Sequence, residues 1–544
     1  MAGMDPLKET ALREFGIPYL FPWQRLVIAN ILDAVDAEQR LRAGKISPDD
    51  PDGEVFDEDG VHRGRQIVLL PTGAGKSLCF QLPALHLAGP TLVIYPLLAL
   101  MGDQLRRLYR TAVDPAIFRG GQTPAERDAQ FRRLEGTDGK QPARLIIANP
   151  EILSAGSNVL SRISARKVSH IAIDEAHCVS EWGDSFRPAY LELGTIINTI
   201  QAPAVTAFTA TASPPVLSRI ADVLFSGAAH LVRGDSDRPN IRYRVRHCRA
   251  KYPALAMEAS TRNRPMVVFC ATRGGTERTA RYLREVLRDT DIRFYHAGLL
   301  REEKADVESW FHGHERAILC TTCAWGMGVD KKDVRTVIHR DAPPTAEAYI
   351  QEAGRGGRDG SDAEAVLLWS PEDRARIERK PEREKNRALV LARFAESVTC
   401  RREVLLEALG DPKAGADAPE GERIACSGCD VCDGTARNVP GDAELVHSWI
   451  ARNPRCYTPR QAATRLTEAG NRYARELYGR NIWNNSDFTD CIREMEKAGE
   501  LARSQFFPCR GRLMVPGGTI LSRLQALPGL LRRFLQRVSV LLYF

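Results

Sequence analysis

An α/β architecture with two parallel-sheet lobes, followed by a mainly helical C-terminal third, is the fold class that this sequence predicts. Three observations carry it. Short apolar runs bounded by turns alternate with helical patterns from residue 66 to about 240, and the pattern restarts at 265. A glycine-rich turn, "LLPTGAGKSLCF", follows the first of those runs and opens a helical pattern. Four cysteines, Cys400, Cys426, Cys429 and Cys432, close the second series with C-x25-C-x2-C-x2-C spacing. At 544 residues the chain is too long for one hydrophobic core, so several domains are expected.

Taken in order, residues 1–40 read as helical, with "PWQRLVIANILDAV" carrying apolar residues at helical spacing. An acidic insertion over 41–64 follows, "KISPDDPDGEVFDEDG", with seven acidic residues between 48 and 59. Its composition predicts a solvated loop without regular structure. The runs "QIVLL", "TLVIY", "RLIIAN", "HIAID" and "AVTAFTA" then read as strands, as do "PMVVFC", "IRFYH", "AILCTT", "TVIHR" and "AEAVLLW" after the join at "DSDRPNIRY". Continuously apolar strands belong to parallel sheets covered on both faces. Residues 372–407 are charged and helical, and 440–515 hold three helical patterns and a strand-like hairpin. The expected division is 1–238, 239–371, 372–438 and 439–515, with a basic amphipathic tail at 516–544 suited to docking or packing.

Hydrophobic residues make up 43% and charged residues 27%, the balance of a soluble globular chain. No uninterrupted apolar run reaches the ~20 residues a bilayer requires, and "MAGMDPLKETALREFG" has no apolar core of a secretory signal. These features predict a cytoplasmic protein without a membrane partner, associated with the nucleoid if bacterial. The charge, 76 − 69 = +7, permits a nucleic-acid partner without demanding one. Nine of the thirteen cysteines, in contexts such as "SLCFQ" and "VVFCAT", read as small buried hydrophobes.

The turn after the first strand reads as a phosphate site. Thr72, Gly73, Ala74 and Gly75 form a loop whose backbone N–H groups can turn inward around phosphate oxygens. Lys76 would reach the β/γ-phosphates, and the Ser77 hydroxyl would hold Mg²⁺. Leu70 stands where the strict pattern has glycine. "HIAIDEAH" places Asp174 and Glu175 at a strand exit, suiting Asp174 to the Mg²⁺ and Glu175 to polarising an attacking water. A triphosphate hydrolase also needs cations against its transition state. "YIQEAGRGGRDG" offers Arg355 and Arg358, three apart on an expected helix and hence on one face. The four clustered cysteines make a closed thiolate set that reads as structural Zn²⁺, because Gly and Asp between them suit a core poorly.

In this order the motifs resemble the RecQ family of DNA helicases, within superfamily two: "FGIPYLFPWQ", "PTGAGKS", "YPLLALMGDQ", "DEAHCVSEWGDSFRPAY", "AFTATAS", "DRPNIRY", "VVFCATR", "YHAGL", "AWGMGVDKKDVRTVIHRDAP" and "QEAGRGGRDG", over roughly residues 10–435. The resemblance implies two RecA-like lobes with ATP between them, a zinc-binding helical subdomain and a winged-helix-like segment after it. It implies an ATP-dependent 3′→5′ helicase that translocates on single-stranded DNA, acts on forked DNA and serves repair or recombination. Gln24 then matches the adenine-reading glutamine. Lys76, Ser77, Asp174 and Glu175 match the nucleotide and Mg²⁺ residues, and Gln351, Arg355 and Arg358 the last motif, with Arg358 as the finger. Thr209 and Thr211 match the segment coupling the lobes. Trp182, Phe186 and Arg187 match an aromatic loop that senses single-stranded DNA.

Two departures stand out. Ile17 and Phe21 replace an aromatic and an arginine before the glutamine, which implies a weaker preference for ATP; Asp184 and Ser185 follow "WG" in place of His and Asp, which implies altered coupling. Two other readings stay open: an RNA helicase or non-unwinding translocase, and an ATP-switched nucleic-acid-binding protein.

Overall fold

The computed structural model describes residues 5–516 apart from 48–54, 72, 97–100, 103, 106–107, 109–110, 112, 155, 182–187, 235–236, 327–330, 416–417, 419–422 and 438. The tail from 517 on lies outside the described residues. The chain divides into two compact units, one built mainly of residues up to Asp237 and the other mainly of residues from Arg238 onward.

The first unit is a parallel sheet of seven strands: β1 Arg65–Leu69, β2 Thr91–Ile94, β3 Ala116–Phe118, β4 Leu145–Ala148, β5 His170–Ile173, β6 Ala204–Thr209 and β7 His230–Arg233. Their order in space is β3-β4-β2-β5-β6-β1-β7. Strands β2, β4, β5 and β6 are buried at every position, because helices cover both faces and an apolar side chain is favoured on either side. The short β3 and the half-exposed edge strand β7 carry no such run and escape the sequence reading. Since β5, β6 and β1 are consecutive neighbours in register, Ile173 lies beside Ala207 and Leu69 beside Thr209. The loops leaving their C-terminal ends therefore meet.

Part of the acidic insertion is more ordered than its composition predicts. Residues 55–64 fold into a tight turn with a Phe56–His62 antiparallel bridge and a buried Val55. The Asp57 carboxylate accepts from the N–H groups of Asp59 (3.0 Å) and Val61 (2.8 Å), and Gly60 supplies a φ of 75°. Local side-chain-to-backbone bonding offsets the lack of apolar content.

The second unit carries a six-stranded parallel sheet: β8 Ile241–His247, β9 Met266–Phe269, β10 Ile292–Tyr295, β11 Ile318–Thr321, β12 Thr336–His339 and β13 Ala363–Trp369, ordered β10-β11-β9-β12-β13-β8. The segment read as a join, "DRPNIRY", thus runs directly into edge strand β8. Its outer edge is bordered by residues 429–437 through bridges Tyr243–Cys429 and Arg246–Arg437. Helices Pro371–Glu378, Glu382–Glu396 and Arg401–Ala408 follow. Arg401 and Arg402 in this charged stretch are fully buried. Arg401 pairs with Asp430 and donates to the carbonyl of Phe394 at 2.6 Å, while Arg402 donates to that of Arg238 at 3.0 Å. Buried guanidinium groups persist only with such acceptors, so these two belong to the scaffold and not to a solvated face.

Helices Gly441–Arg452, Pro459–Tyr478 and Asn485–Lys497 precede an antiparallel ribbon of β14 Ala502–Arg503 and β15 Leu513–Met514, the element order of a winged helix. Val446, Ile450, Leu466, Phe488, Ile492 and Met495 form its core with Met257 of the lobe. Among the described residues no helix is long and apolar enough to cross a membrane. The scattered cysteines divide: Cys79, Cys178, Cys248, Cys270, Cys320 and Cys491 are buried as expected, whereas Cys323 and Cys456 are exposed.

Candidate functional site

The phosphate turn leaves β1 and enters helix Leu78–Ala84 with Gly73 at φ 90° and Gly75 at φ 78°, conformations an L side chain resists. Lys76 Nζ donates to the Leu70 carbonyl at 3.1 Å. The departure at Leu70 therefore costs the turn little: its carbonyl does the work and its side chain joins the core. Cys79, in the first turn of the helix, has its thiol pushed up to about 12 by burial and is inert packing. Gln24, buried, braces this turn: its Oε1 accepts from the Phe21 N–H at 2.9 Å, and its Nε2 donates to the Ala74 carbonyl at 3.3 Å.

Asp174 emerges from β5, and Glu175 holds the left-handed φ of 49°. The Glu175 N–H donates to Asp174 Oδ1, 3.0 Å away. Burial, then the negative charge of Glu175, raises the Asp174 carboxyl to about 7, with Lys76 acting against the rise. A buried carboxylate raised this far is stabilised by an added cation, and Asp174 and the Ser77 hydroxyl are oxygen donors of the kind Mg²⁺ prefers. These residues fit that ion.

His177 Nδ1 lies 3.3 Å from Glu175 Oε2 and 3.1 Å from Thr209 Oγ1. The Thr209 hydroxyl donates to the Thr211 carbonyl at 3.1 Å, so its oxygen is left to accept from the imidazole N–H. His177 thus stands between the Glu175 carboxylate, 3.3 Å away, and the turn after β6, to which it is hydrogen-bonded through Thr209. Sequence reasoning gave His177 no role; its place in "DEAH", beside a carboxylate at a strand exit, was the available signal.

The second unit corrects one expectation. Helix Ala346–Ala353 holds Gln351 but ends before Arg355, and residues 354–359 form turns, so the two arginines share no helix face. Glycine forces this: Gly357 has φ 55°, and a Cβ there would come within 2.3 Å of the Ser361 carbonyl oxygen. Arg355 is buried, its guanidinium 5.6 Å above the ring of Trp325, whereas Arg358 is half-buried. The turn is clamped by Arg238, which donates to the carbonyls of Gly354, Gly356 and Gly357, and by Asn240, which donates to Gly357 and Ser361. Below it, buried His339 meets Glu352 at 3.0 Å and stacks on Phe269. Arg238 and Asn240 were missed although "DRPN" is quoted in the sequence, because that stretch reads there as a join.

Cys400, Cys426, Cys429 and Cys432 bring their sulfurs within 4.8 Å of one another. Tetrahedral Zn–S bonds of ~2.3 Å place sulfurs about 3.8 Å apart, so a small contraction satisfies the ion. Asp430 inside the cluster accepts from the Val245 N–H at 2.8 Å and pairs with Arg401, fastening the zinc loop to β8 and the helix after Cys400. Thr72, Trp182, Asp184, Ser185, Phe186 and Arg187 lie outside the described residues.

Comparison with known proteins agrees with this geometry. Residues 57–220 match the DEAD/DEAH box helicase domain, 250–360 the helicase conserved C-terminal domain and 363–433 the RecQ zinc-binding domain. The ATP-dependent DNA helicase RecQ of Pasteurella multocida is 34% identical over 82% of this chain and 66% of its own length. That of Haemophilus influenzae is 36% identical over 72% of this chain and 62% of its own. The chain thus spans just under two thirds of these curated relatives. Among solved structures, the DUF1998 helicase MrfA bound to DNA shares the fold with a TM-score of 0.52 at 17% identity, over 96% of this chain and 64% of that one. A DEAD/DEAH lobe, a helicase C-terminal lobe and a RecQ zinc module in that order, with relatives above 30% identity along most of the sequence, make this chain a member of the RecQ helicase family.

Proposed function

We propose that the protein is an ATP-dependent DNA helicase that couples ATP hydrolysis to 3′→5′ translocation on single-stranded DNA and to the unwinding of forked duplexes, in repair or recombination. The observation that carries the reading is the meeting of Lys76, Asp174, Glu175, His177 and Thr209 at the ends of three adjacent strands, in a chain that also carries the zinc module. Lys76 and the N–H groups of the 72–77 turn hold the triphosphate; Glu175 takes the proton of the attacking water. Asp174 and Ser77 would hold Mg²⁺, which supplies charge neutralisation on the phosphate oxygens. Arg358, the more accessible arginine of its turn, stabilises charge on the transferred phosphoryl group. Trp182, Phe186 and Arg187 take the part of the single-strand sensor, and the chain Glu175–His177–Thr209–Thr211 passes its state to the catalytic carboxylate. The relatives' name, ATP-dependent DNA helicase RecQ, supports DNA as the substrate, and action on DNA goes with a cytoplasmic location, at the nucleoid if bacterial.

Unwinding of 3′-tailed, 5′-tailed and forked duplexes, with DNA and RNA versions side by side, tests this. The reading expects ATP-dependent opening of 3′-tailed and forked DNA. RNA opening without DNA opening, or ATP turnover with no opening, would replace it with an RNA helicase or a translocase. Binding without any DNA-stimulated turnover would leave an ATP-switched binding protein.

A further inference from the structure

In the second unit a cavity of about 560 Å³ opens beside edge strand β8. It is bordered by β8, by helix Lys251–Thr261, by Val366 of β13 and by the zinc loop, and it reaches Gly441, where the first C-terminal helix begins. Four arginines line it, Arg244, Arg246, Arg262 and Arg437, against two carboxylates, Glu258 and Asp430. Both acids are already paired. Asp430 is held by Arg401 and by the Val245 N–H. Glu258 lies 2.8 Å from both Arg246 and Arg262; burial works to raise its carboxyl, yet these two guanidinium groups hold it below the ordinary value. Glu364 pairs with Arg244 at 3.0 Å and with Arg262 at 2.8 Å.

Acceptors run short in this network. Arg244, Arg246 and Arg262 carry about fifteen N–H donors between them, whereas Glu258 and Glu364 offer about four acceptor positions each. The bonds show the shortage: an Arg244 N–H goes to the Thr435 hydroxyl at 3.2 Å, and an Arg246 N–H to the Met257 thioether at 3.7 Å, a weak acceptor for a charged donor. The three side chains are 13–21% exposed, so solvent covers them sparingly.

We propose that this cavity binds a compact phosphorylated molecule with two or more phosphate groups, at a site distinct from the phosphate turn of the first unit. A phosphate brings only acceptors and negative charge, which is what the arginines lack, and the planar guanidinium fork matches its oxygens with paired bonds. More than one phosphate is called for because the arginines come from three places: β8, the end of helix Lys251–Thr261 and the zinc loop. The volume lies within the range of small-ligand sites. Among the described residues the lining includes no Phe, Tyr or Trp, so the phosphates and not a base carry the recognition. With both lining carboxylates ion-paired, the site holds its ligand and does not react with it. A ligand there bridges β8, the zinc loop and the start of the C-terminal helices, and stabilises the folded state by mass action.

Calorimetric titration of the zinc-loaded full chain with pyrophosphate tests the proposal, in a Lys76→Ala background that weakens the phosphate turn as a competing site. One equivalent is expected to bind, about tenfold or more tightly than orthophosphate, and to raise the melting midpoint. Arg262→Gln and Arg437→Gln should each weaken pyrophosphate about fivefold or more. Arg437 is exposed, so its replacement spares the core and keeps the test valid even where Arg262→Gln fails to fold. No binding of pyrophosphate overturns the proposal, and so does binding that Arg437→Gln leaves unchanged. Loss of single-stranded DNA affinity in Arg437→Gln, with no pyrophosphate bound by the parent, also overturns it and assigns the arginines to the strand.

Discussion

Replacing Arg238 by alanine removes one guanidinium that donates to three carbonyls of the arginine-bearing turn: Gly354 at 3.1 Å, Gly356 at 3.1 Å and Gly357 at 3.0 Å. Asn240 still holds Gly357 and Ser361 at 2.9 and 2.8 Å, so the turn loosens without being freed. A hydrogen bond from a charged donor contributes about 1.5–3 kcal/mol, but Arg238 is only half-buried and its three bonds share one restraint. About 2 kcal/mol of lost restraint is a fair total, and at ~1.4 kcal/mol per decade that lowers the equilibrium constant for correct placement of Arg358 roughly thirtyfold, the upper bound on the loss of activity. An arginine that acts on the transition state registers in kcat before KM. We therefore expect Arg238→Ala to lower kcat for DNA-stimulated ATP hydrolysis by roughly ten- to thirtyfold, with KM for ATP within about twofold. Arg238→Lys, which can reach one carbonyl at a time, should fall between. Steady-state ATPase assays at saturating single-stranded DNA, paired with thermal melting by circular dichroism, read both effects. Wild-type kcat in Arg238→Ala refutes the reasoning, and so does a loss of kcat that merely tracks unfolding at the assay temperature.

Four further outcomes are expected. Lys76→Ala should abolish ATP hydrolysis yet leave DNA affinity within about threefold by fluorescence anisotropy, because in the proposed site this lysine serves phosphate and not strand. Cys429→Ser should yield protein that is poorly soluble or lacks zinc by atomic absorption, since the ion's binding energy is part of the folding energy of this module; a full equivalent of zinc with unchanged melting would contradict it. Thr209→Val keeps the shape but removes the link between His177 and the Thr211 carbonyl; it should reduce DNA stimulation of hydrolysis more than the basal rate, and equal losses would count against a coupling role. Asp174 is raised from the ordinary 3.8 to about 7, so the folded state holds this proton more tightly than the unfolded chain. Its contribution is greatest below 3.8 and is fully lost once pH has risen through about 7, so in chelator the melting midpoint should fall between about pH 4 and 7, while Asp174→Asn flattens that fall and Mg²⁺ opposes it; a chelated wild type with no such fall would remove Asp174 as the raised group.

What the sequence made legible was whatever physics writes locally. The central strands are buried on both faces, so "TLVIY", "HIAID" and "PMVVFC" announce themselves as apolar runs. The phosphate turn and the cysteine set depend on residue type at fixed spacing, and both stand where they were expected. Less legible was whatever depends on partners far along the chain. Arg401 and Arg402 look like surface charge until Asp430 and the carbonyl of Arg238 are seen around them. The arginine turn looks helical by spacing, yet the contacts of Gly357 end the helix early. Gln24 is placed by its motif, but of its hydrogen bonds to the Phe21 N–H and the Ala74 carbonyl the second joins residues 50 apart in the chain and is not legible from spacing.

The parallel sheet explains why distant motifs act as one device. Lys76, Asp174 and Thr209 are separated by long stretches of chain, but β5, β6 and β1 are successive neighbours with their C-terminal ends aligned, so each crossover returns its next motif to the same rim. On that rim the His177 imidazole bonds Thr209 and lies 3.3 Å from the Glu175 carboxylate, an arrangement that holds only while the 209–211 turn stays where it is. A ligand that shifts this turn by even an ångström would stretch the His177–Thr209 contact and free the imidazole to move against Glu175. Under the proposed function, DNA bound at the turn would thereby change the hydrolysis rate without touching the nucleotide, through a moving part no larger than one imidazole ring.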